Sequence, residues 1–125
     1  MAFTLATWNI NSVRLRESIV SRLMSEEMPD ILCLQECKCL AEQIPTEAFE
    51  KLGYRYRVAR GQKSYNGVAI LSKLPMVDAG GRDFATLGHA RHVAGQLENG
   101  VTIHNFYVPA GGDIPDREEN VKFGQ

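Results

Sequence analysis

The sequence contains no long apolar run, no disulfide framework and almost no net charge. No apolar stretch approaches the roughly 20 residues that cross a bilayer, so we expect no membrane span or membrane partner. The N-terminus lacks a charged segment followed by an apolar one, so we expect no signal peptide. Three closely spaced cysteines fit a reducing cytoplasm. With a net charge of −1, an anionic partner must be met by a local basic patch.

Common catalytic and metal-binding signatures are also missing. The sequence Gly-x-Ser-x-Gly does not occur, and no cysteine has a placed histidine base. Cys33, Cys37 and Cys39 have no fourth ligand at the spacing of a structural zinc site, so we interpret Cys33 as a small buried hydrophobe. The three histidines show no regular ligand spacing, although His92 and His104 could face each other across a hairpin.

The stretch Ile31–Lys38 organises the rest of the chain. An apolar run, preceded by the turn residues Pro29 and Asp30, predicts a buried strand that ends at Glu36. A carboxylate at the end of a buried strand needs a partner, which is either a cation or a structural ion pair. We favour a cation, because ligands bind at the C-terminal ends of strands in open sheets.

A second strand end is expected beside Glu36. Residues 3–9 predict a strand that ends at Asn9, and a helix is predicted from Val13 to Met28. Strand, helix and strand in this order favour parallel pairing, which brings Asn9 and Glu36 to one edge. Their oxygen atoms suit Mg²⁺ or Mn²⁺, although Asn9 alone is also typical of a turn or cap.

The remaining pattern predicts further elements. The first helix should bury a face whose members recur every four residues, at Leu15, Ile19 and Leu23, flanked by Val20 and Met24. Beyond it we expect a helix over 46–52 with Gly53 as its terminator, and strands over 54–61 and 68–72. Asn66 and Gly67 predict a tight turn before the second of these strands, because Asn-Gly accepts positive φ, and Pro75 is interpreted as a break after it. A hairpin of 91–97 with 101–107 follows.

The strand over 54–61 carries the densest basic patch of the chain. Strict alternation places Arg55 and Arg57 on one face, and Arg60 and Lys63 add to the cluster. This patch is either a solvated strand face or a surface that contacts backbone phosphates.

Four motifs occur in an order that resembles a known family. They are Trp8–Arg14, Leu34–Lys38, Tyr65–Ser72 and Asn105–Pro109. Together they resemble the exonuclease III and abasic-site endonuclease family of the endonuclease/exonuclease/phosphatase superfamily, and the resemblance spans essentially all 125 residues. Residues 107–123 are especially similar to bacterial exonuclease III proteins.

The resemblance implies an α/β fold, a four-layered α/β sandwich of two packed mixed sheets flanked by helices, with the active site at one edge between the sheets. It implies Mg²⁺-dependent hydrolysis of phosphodiesters in double-stranded DNA, beside abasic sites and at 3′ ends. In that pattern Glu36 matches the metal-binding glutamate and Asn9 the asparagine beside the metal. Tyr107 matches the tyrosine that hydrogen-bonds the scissile phosphate.

Further positions follow from the same resemblance. Lys38 matches the lysine beside the glutamate, where it orients Glu36 or is an ordinary surface lysine. Tyr65 and Arg91 match positions near the DNA. Of the two interpretations of the basic patch, contact with DNA phosphates is the one that gives a function to its residues, Arg55, Arg57, Arg60 and Lys63.

The chain also departs from the family pattern. The Gly-Asp-x-Asn motif, a later aspartate and the C-terminal Ser-Asp-His motif do not occur. We therefore expect residues 1–125 to be the N-terminal part of one domain, monomeric when complete, and inactive and prone to aggregate as an isolated polypeptide. The alternatives are a phosphoesterase acting on small phosphate esters and a non-catalytic nucleic-acid-binding module.

Overall fold

A computed structural model describes residues 2–61, 66–80 and 92–107. Across these ranges the chain forms seven strands, two α-helices and a short 3₁₀ turn at Ala41–Gln43. The elements are β1 (Leu5–Asn9), α1 (Glu17–Glu26), β2 (Ile31–Gln35), α2 (Thr46–Glu50), β3 (Tyr56–Arg60), β4 (Val68–Ser72), β5 (Met76–Gly80), β6 (His92–Leu97) and β7 (Thr102–Phe106). Neither helix in these ranges has the length and apolar character needed to span a bilayer.

The strands form two sheets. The first has the order β1-β2-β4-β3, and the second has the order β5-β6-β7. β1 and β2 are parallel, which confirms the predicted strand–helix–strand unit, whereas β4 runs antiparallel to both β2 and β3. The second sheet is antiparallel throughout its described strands, so the mixed character expected of both sheets is found only in the first.

Alternation along the first sheet divides its side chains between two cores. In β2, Leu32 and Leu34 pack toward the helices, whereas Ile31 and Cys33 pack toward the second sheet. All five residues of β2 and of β4 are buried, as expected of strands covered on both faces. The packing of helices on a sheet, and of that sheet on a second one, confirms the predicted α/β sandwich.

The four strands of the first sheet are in register at the edge where β1 and β2 end. Asn9 is paired with Gln35, Gln35 with Val68, and Val68 with Arg60. By alternation these side chains share the face that carries Cys33 and Ile70, which is the face turned toward the second sheet. We call these four residues the edge row.

Helix α1 differs from its prediction in length and rotation. It begins at Glu17 rather than Val13, because Ser12 Oγ accepts a hydrogen bond from the Leu15 amide at 3.3 Å and residues 13–16 form a turn. Val20 and Met24 are the buried residues of the helix, while Leu15 is 79% and Ile19 50% exposed. The prediction is therefore confirmed for Val20 and Met24, and Leu23 packs against the same core, but it was wrong for Leu15, which precedes the helix, and for Ile19, which lies at the solvent side.

The remaining elements follow the sequence with one exception. The strand at β4 and the β6–β7 hairpin are confirmed, and Gly53 follows α2 with φ of +100°, as its predicted terminator. β5 was not predicted, because Pro75 was interpreted as a break. Pro75 lies just before the strand, where a missing amide proton is tolerated, and only Met76 in β5 is buried, so no alternating pattern marks it.

Replacement of Met24 by alanine tests the observed rotation of α1. Met24→Ala removes a buried side chain and is expected to lower the free energy of unfolding by about 2–5 kcal/mol. The matched control Ile19→Ala changes an apolar side chain of the same helix that is 50% exposed, and its loss should be much smaller, about 0.5 kcal/mol. Urea denaturation measures both, and equal losses for the two variants would contradict the observed rotation.

Candidate active site

The candidate site lies where β1 and β2 end side by side. The pairing of the two strands continues past them, since the Ile10 amide donates to the Gln35 carbonyl at 3.0 Å. The Ser12 amide then donates to the Glu36 carbonyl at 2.8 Å. Glu36 is therefore held from the β1 side by backbone hydrogen bonds, and its side chain projects from the common edge of the two strands.

The other flank of Glu36 is held by the turn that precedes β4. The Cys37 amide donates to the Gly67 carbonyl at 3.0 Å and the Lys38 amide to the Asn66 carbonyl at 2.8 Å. Asn66 and Gly67 have φ of 55° and 90°, as the Asn-Gly sequence predicted. The segment that carries Glu36 is thus fixed between two other backbone segments.

The backbone at this edge adopts an uncommon conformation. Asn11, Ser12, Glu36 and Lys38 have positive φ values of 50°, 84°, 54° and 56°. Each non-glycine residue in this region costs about 1–2 kcal/mol, and such strain concentrates at functional sites. The strain at Glu36 persists because the hydrogen bonds on both of its flanks fix the backbone.

Tyr107, which follows the last described strand of the second sheet, contacts Glu36. Its phenol O–H donates to Glu36 Oε1 at 3.2 Å, and both side chains are half-buried. Tyr107 directly follows β7, so the contact joins groups that lie 71 residues apart in sequence. The two residues that the resemblance assigned to metal and phosphate are therefore neighbours.

A buried polar network directly beneath this contact holds the sheets together. Asn105 is 2% exposed, and its side-chain Nδ2 donates to the carbonyls of Leu34 at 2.9 Å and Ala69 at 2.8 Å. Its Oδ1 accepts from Gln35 Nε2 at 2.7 Å, and Gln35 also donates to Thr7 Oγ1 at 2.9 Å. The amide of Asn105 thus joins β7 directly to β2 and β4, and through Gln35 to β1, two residues before Tyr107.

Sequence reasoning missed this network. Gln35 and Asn105 both lie inside motifs that carried the family resemblance, but neither was assigned a role. The available signal was Gln35, the one polar residue at the end of an otherwise apolar strand, since such a residue needs a buried partner. The partner could not be identified without the packing of the sheets.

The oxygen donors at the edge are compatible with a hard divalent cation. Asn9 is exposed at the end of β1 and belongs to the edge row, next to the strand that carries Glu36. The described residues include no cluster of three histidine, cysteine or acidic side chains. Mg²⁺ is commonly bound through one or two protein carboxylates together with waters and substrate phosphates, so an amide oxygen and a carboxylate fit it.

Lys38 lies beside the site but bonds to another group than expected. Its ammonium donates a hydrogen bond to the Asn11 side-chain oxygen, on the segment that follows β1. Asn11 and Lys38 are both in the strained segments described above, so the bond ties the two strand exits together. The sequence interpretation, in which Lys38 orients Glu36 itself, remains untested.

The predicted basic patch is divided between the two faces of β3. Arg55 and Arg57 line a pocket with Thr46 and Glu50 on the helix side, and Arg57 donates to the Ala41 carbonyl at 3.0 Å. Arg60 belongs to the edge row on the opposite face. Three further predicted contact residues, Lys63, Tyr65 and Arg91, lie outside the described residues.

The cysteine thiols and the two described histidines make none of the side-chain contacts given above for Glu36, Tyr107 and Asn105. Burial raises the pKa of Cys33 to about 11, and burial with the neighbouring Cys39 raises that of Cys37 to about 12, which disfavours thiolate ligands. His92 and His104 face each other across the hairpin, as predicted, with Nε2 and Nδ1 3.1 Å apart. Their side chains lie on the outer face of the second sheet, away from Glu36.

Replacement of Asn105 tests the network. Asn105→Ala removes the side-chain hydrogen bonds to the buried carbonyls of Leu34 and Ala69 and the acceptor of one Gln35 hydrogen bond, while Gln35 keeps its bond to Thr7. Since each buried unsatisfied group costs about 1–3 kcal/mol, we expect the free energy of unfolding to fall by at least about 2 kcal/mol. Chemical denaturation measures the loss, and Gln96→Ala, which changes an exposed residue of β6, is the control. Similar denaturation midpoints for the two variants would show that the Asn105 network does not hold the sheets together.

Comparison with known proteins agrees with this geometry. The model of the endonuclease/exonuclease/phosphatase family matches residues 6–122. Recombination repair protein 1 of Drosophila melanogaster is 33% identical over 114 residues, which cover 86% of this chain and 16% of that protein. Exodeoxyribonuclease III of Haemophilus influenzae is 39% identical over 67 residues, which cover 54% of this chain and 25% of that protein.

Solved structures give the same result. An AP endonuclease from Archaeoglobus fulgidus matches with a TM-score of 0.81 at 35% identity, covering 94% of this chain and 45% of that chain. A 3′ phosphatase from Neisseria bound to a product DNA hairpin matches with a TM-score of 0.74 at 34% identity, covering 88% and 43%. The chain spans less than half the length of these relatives. The resemblance stated from the motifs is confirmed, and the chain belongs to the endonuclease/exonuclease/phosphatase family.

Proposed function

We propose that this chain contributes to a Mg²⁺-dependent DNA repair nuclease that hydrolyses phosphodiesters at abasic sites and at 3′ ends of duplex DNA. The contact between Tyr107 and Glu36 at the shared edge of the two sheets carries the proposal. It is supported by relatives named exodeoxyribonuclease III and AP endonuclease, and by a related 3′ phosphatase whose structure contains a product DNA hairpin.

In the proposed mechanism Asn9 and Glu36 would hold the divalent ion, with Mg²⁺ preferred and Mn²⁺ as a substitute. When bound, such an ion neutralises charge that develops on the phosphate and stabilises the leaving 3′ oxygen. Glu36 is suited to the task because its strained backbone is fixed on both flanks, so the carboxylate needs little reorganisation.

Tyr107 would orient the scissile phosphate. A phenol donates a hydrogen bond to a phosphate oxygen without adding net charge, and here its O–H donates to Glu36, the carboxylate that would hold the ion. The hydrogen bonds of Asn105 fix the end of β7, which Tyr107 follows directly. On substrate binding, the Tyr107 O–H would donate to a phosphate oxygen in place of Glu36 Oε1.

A complete active site requires more than this chain provides. By resemblance, the water-activating base and the histidine that binds the scissile phosphate belong to motifs that this sequence lacks. We therefore propose that residues 1–125 form the N-terminal part of one catalytic domain and have little nuclease activity alone. The tests below use the complete protein that contains the chain.

Substitution of Glu36 tests the metal role. Glu36→Ala should lower Mg²⁺-dependent nicking of an abasic duplex by at least about 100-fold, because a metal ion supplies several kcal/mol of transition-state stabilisation. The control is Glu47→Gln, which neutralises an exposed carboxylate in α2. Wild-type activity in Glu36→Ala would remove Glu36 from the mechanism.

Substitution of Arg55 and Arg57 tests whether the helix-side part of the basic patch contacts DNA. If each arginine neutralises one phosphate, the double variant Arg55→Ala with Arg57→Ala should weaken duplex binding and reduce the salt-dependence slope by about 0.9 per lost contact. Fluorescence anisotropy over a salt series measures the slope. An unchanged slope would identify this face of β3 as merely solvated.

A further inference from the structure

Arg60 lies on the opposite face of β3 from Arg57 and from Arg55, which directly precedes the strand. Tyr56 and Val58 pack in the core between the sheets, and alternation places Arg60 on the same face. Arg55 and Arg57 instead line the pocket on the helix side. Arg60 is half-buried at the mouth of the gap between the two sheets, at the edge where Glu36 lies.

The charge of Arg60 is uncompensated within the described part of the chain. Its Nη1 atom is buried and has no hydrogen-bond partner, and none of the described carboxylates pairs with it. A buried N–H group without an acceptor costs free energy unless a ligand satisfies the side chain. A partly dehydrated guanidinium also binds an anion more strongly than a fully hydrated one.

The fold fixes the distance between Arg60 and the candidate site. Gln35, Val68 and Arg60 are consecutive members of the edge row. With neighbouring strands about 4.8 Å apart, the β3 backbone lies about 10 Å from the strand that carries Glu36. The next residue, Gly61, packs so closely against the backbone of Cys39 and Ala41 that a side chain there would collide. The end of β3 is therefore held in place.

A nucleic acid strand matches this spacing. Each strand of a duplex carries a phosphate every 3.4 Å or so of helix axis, so phosphates on either side of the one at Glu36 and Tyr107 lie within about 10 Å of it. The planar donor array of arginine suits bidentate phosphate binding. We propose that Arg60 binds a backbone phosphate adjacent to the scissile position and so sets the register of the DNA in the site. This inference rests on the proposed nuclease function.

The test compares Arg60→Met with Arg60→Lys in the complete protein. Arg60→Met keeps the apolar stem and removes the charge. We expect it to raise KM for an abasic duplex about tenfold, to change kcat much less, and to reduce the slope of log affinity against log salt by about 0.9. Arg60→Lys should restore the slope but only part of KM, because an ammonium lacks the planar donor array.

Controls separate this inference from folding and from the proposed function. Lys51→Met removes an exposed charge beside α2 and should leave KM and the salt slope unchanged. If Arg60→Met does not fold, Arg60→Gln provides the uncharged variant. Unchanged KM and slope in the uncharged variant, with nicking abolished in Glu36→Ala, would overturn the role of Arg60 alone. Full nicking in Glu36→Ala would instead overturn the proposed function.

Discussion

The side-chain amide of Asn105 is the interaction on which the geometry of the site depends. It reaches from the second sheet to two carbonyls and one side chain of the first, and both Asn105 and Gln35 are buried. Apolar packing between the sheets is not directional, so it would permit the sheets to slide past each other. Hydrogen bonds fix the relative position of the sheets, and the position of Tyr107 over Glu36 follows from it.

The same edge shows how strain and support are combined. The chain leaves β1 and β2 through non-glycine residues in the left-handed region, which is unfavourable locally. Backbone hydrogen bonds from both neighbouring segments, together with the bond between Lys38 and Asn11, offset this cost. The result is a carboxylate carried on a backbone that is fixed on both flanks, which suits the cation-binding role proposed for Glu36.

The division of the basic residues has an equally simple origin. Residues an even number of positions apart lie on one face of a strand, so Arg55 and Arg57 separate from Arg60. A cluster that is dense in sequence therefore becomes two surfaces of different character. One is an exposed pocket beside α2, and the other is a single half-buried cation at the mouth of the gap between the sheets. Only the second shares an edge with Glu36.

The sequence by itself determined the elements whose signals are local. These include the buried strand before Glu36, its parallel partner ending at Asn9, the Asn-Gly turn and the hairpin, because periodicity and turn chemistry depend on near neighbours in the chain. Tertiary structure alone decided the rotation of α1, the existence of β5, the partner of Lys38 and the hydrogen bond between Gln35 and Asn105. Each of these depends on which surfaces meet across tens of residues, and no pattern within one segment specifies that.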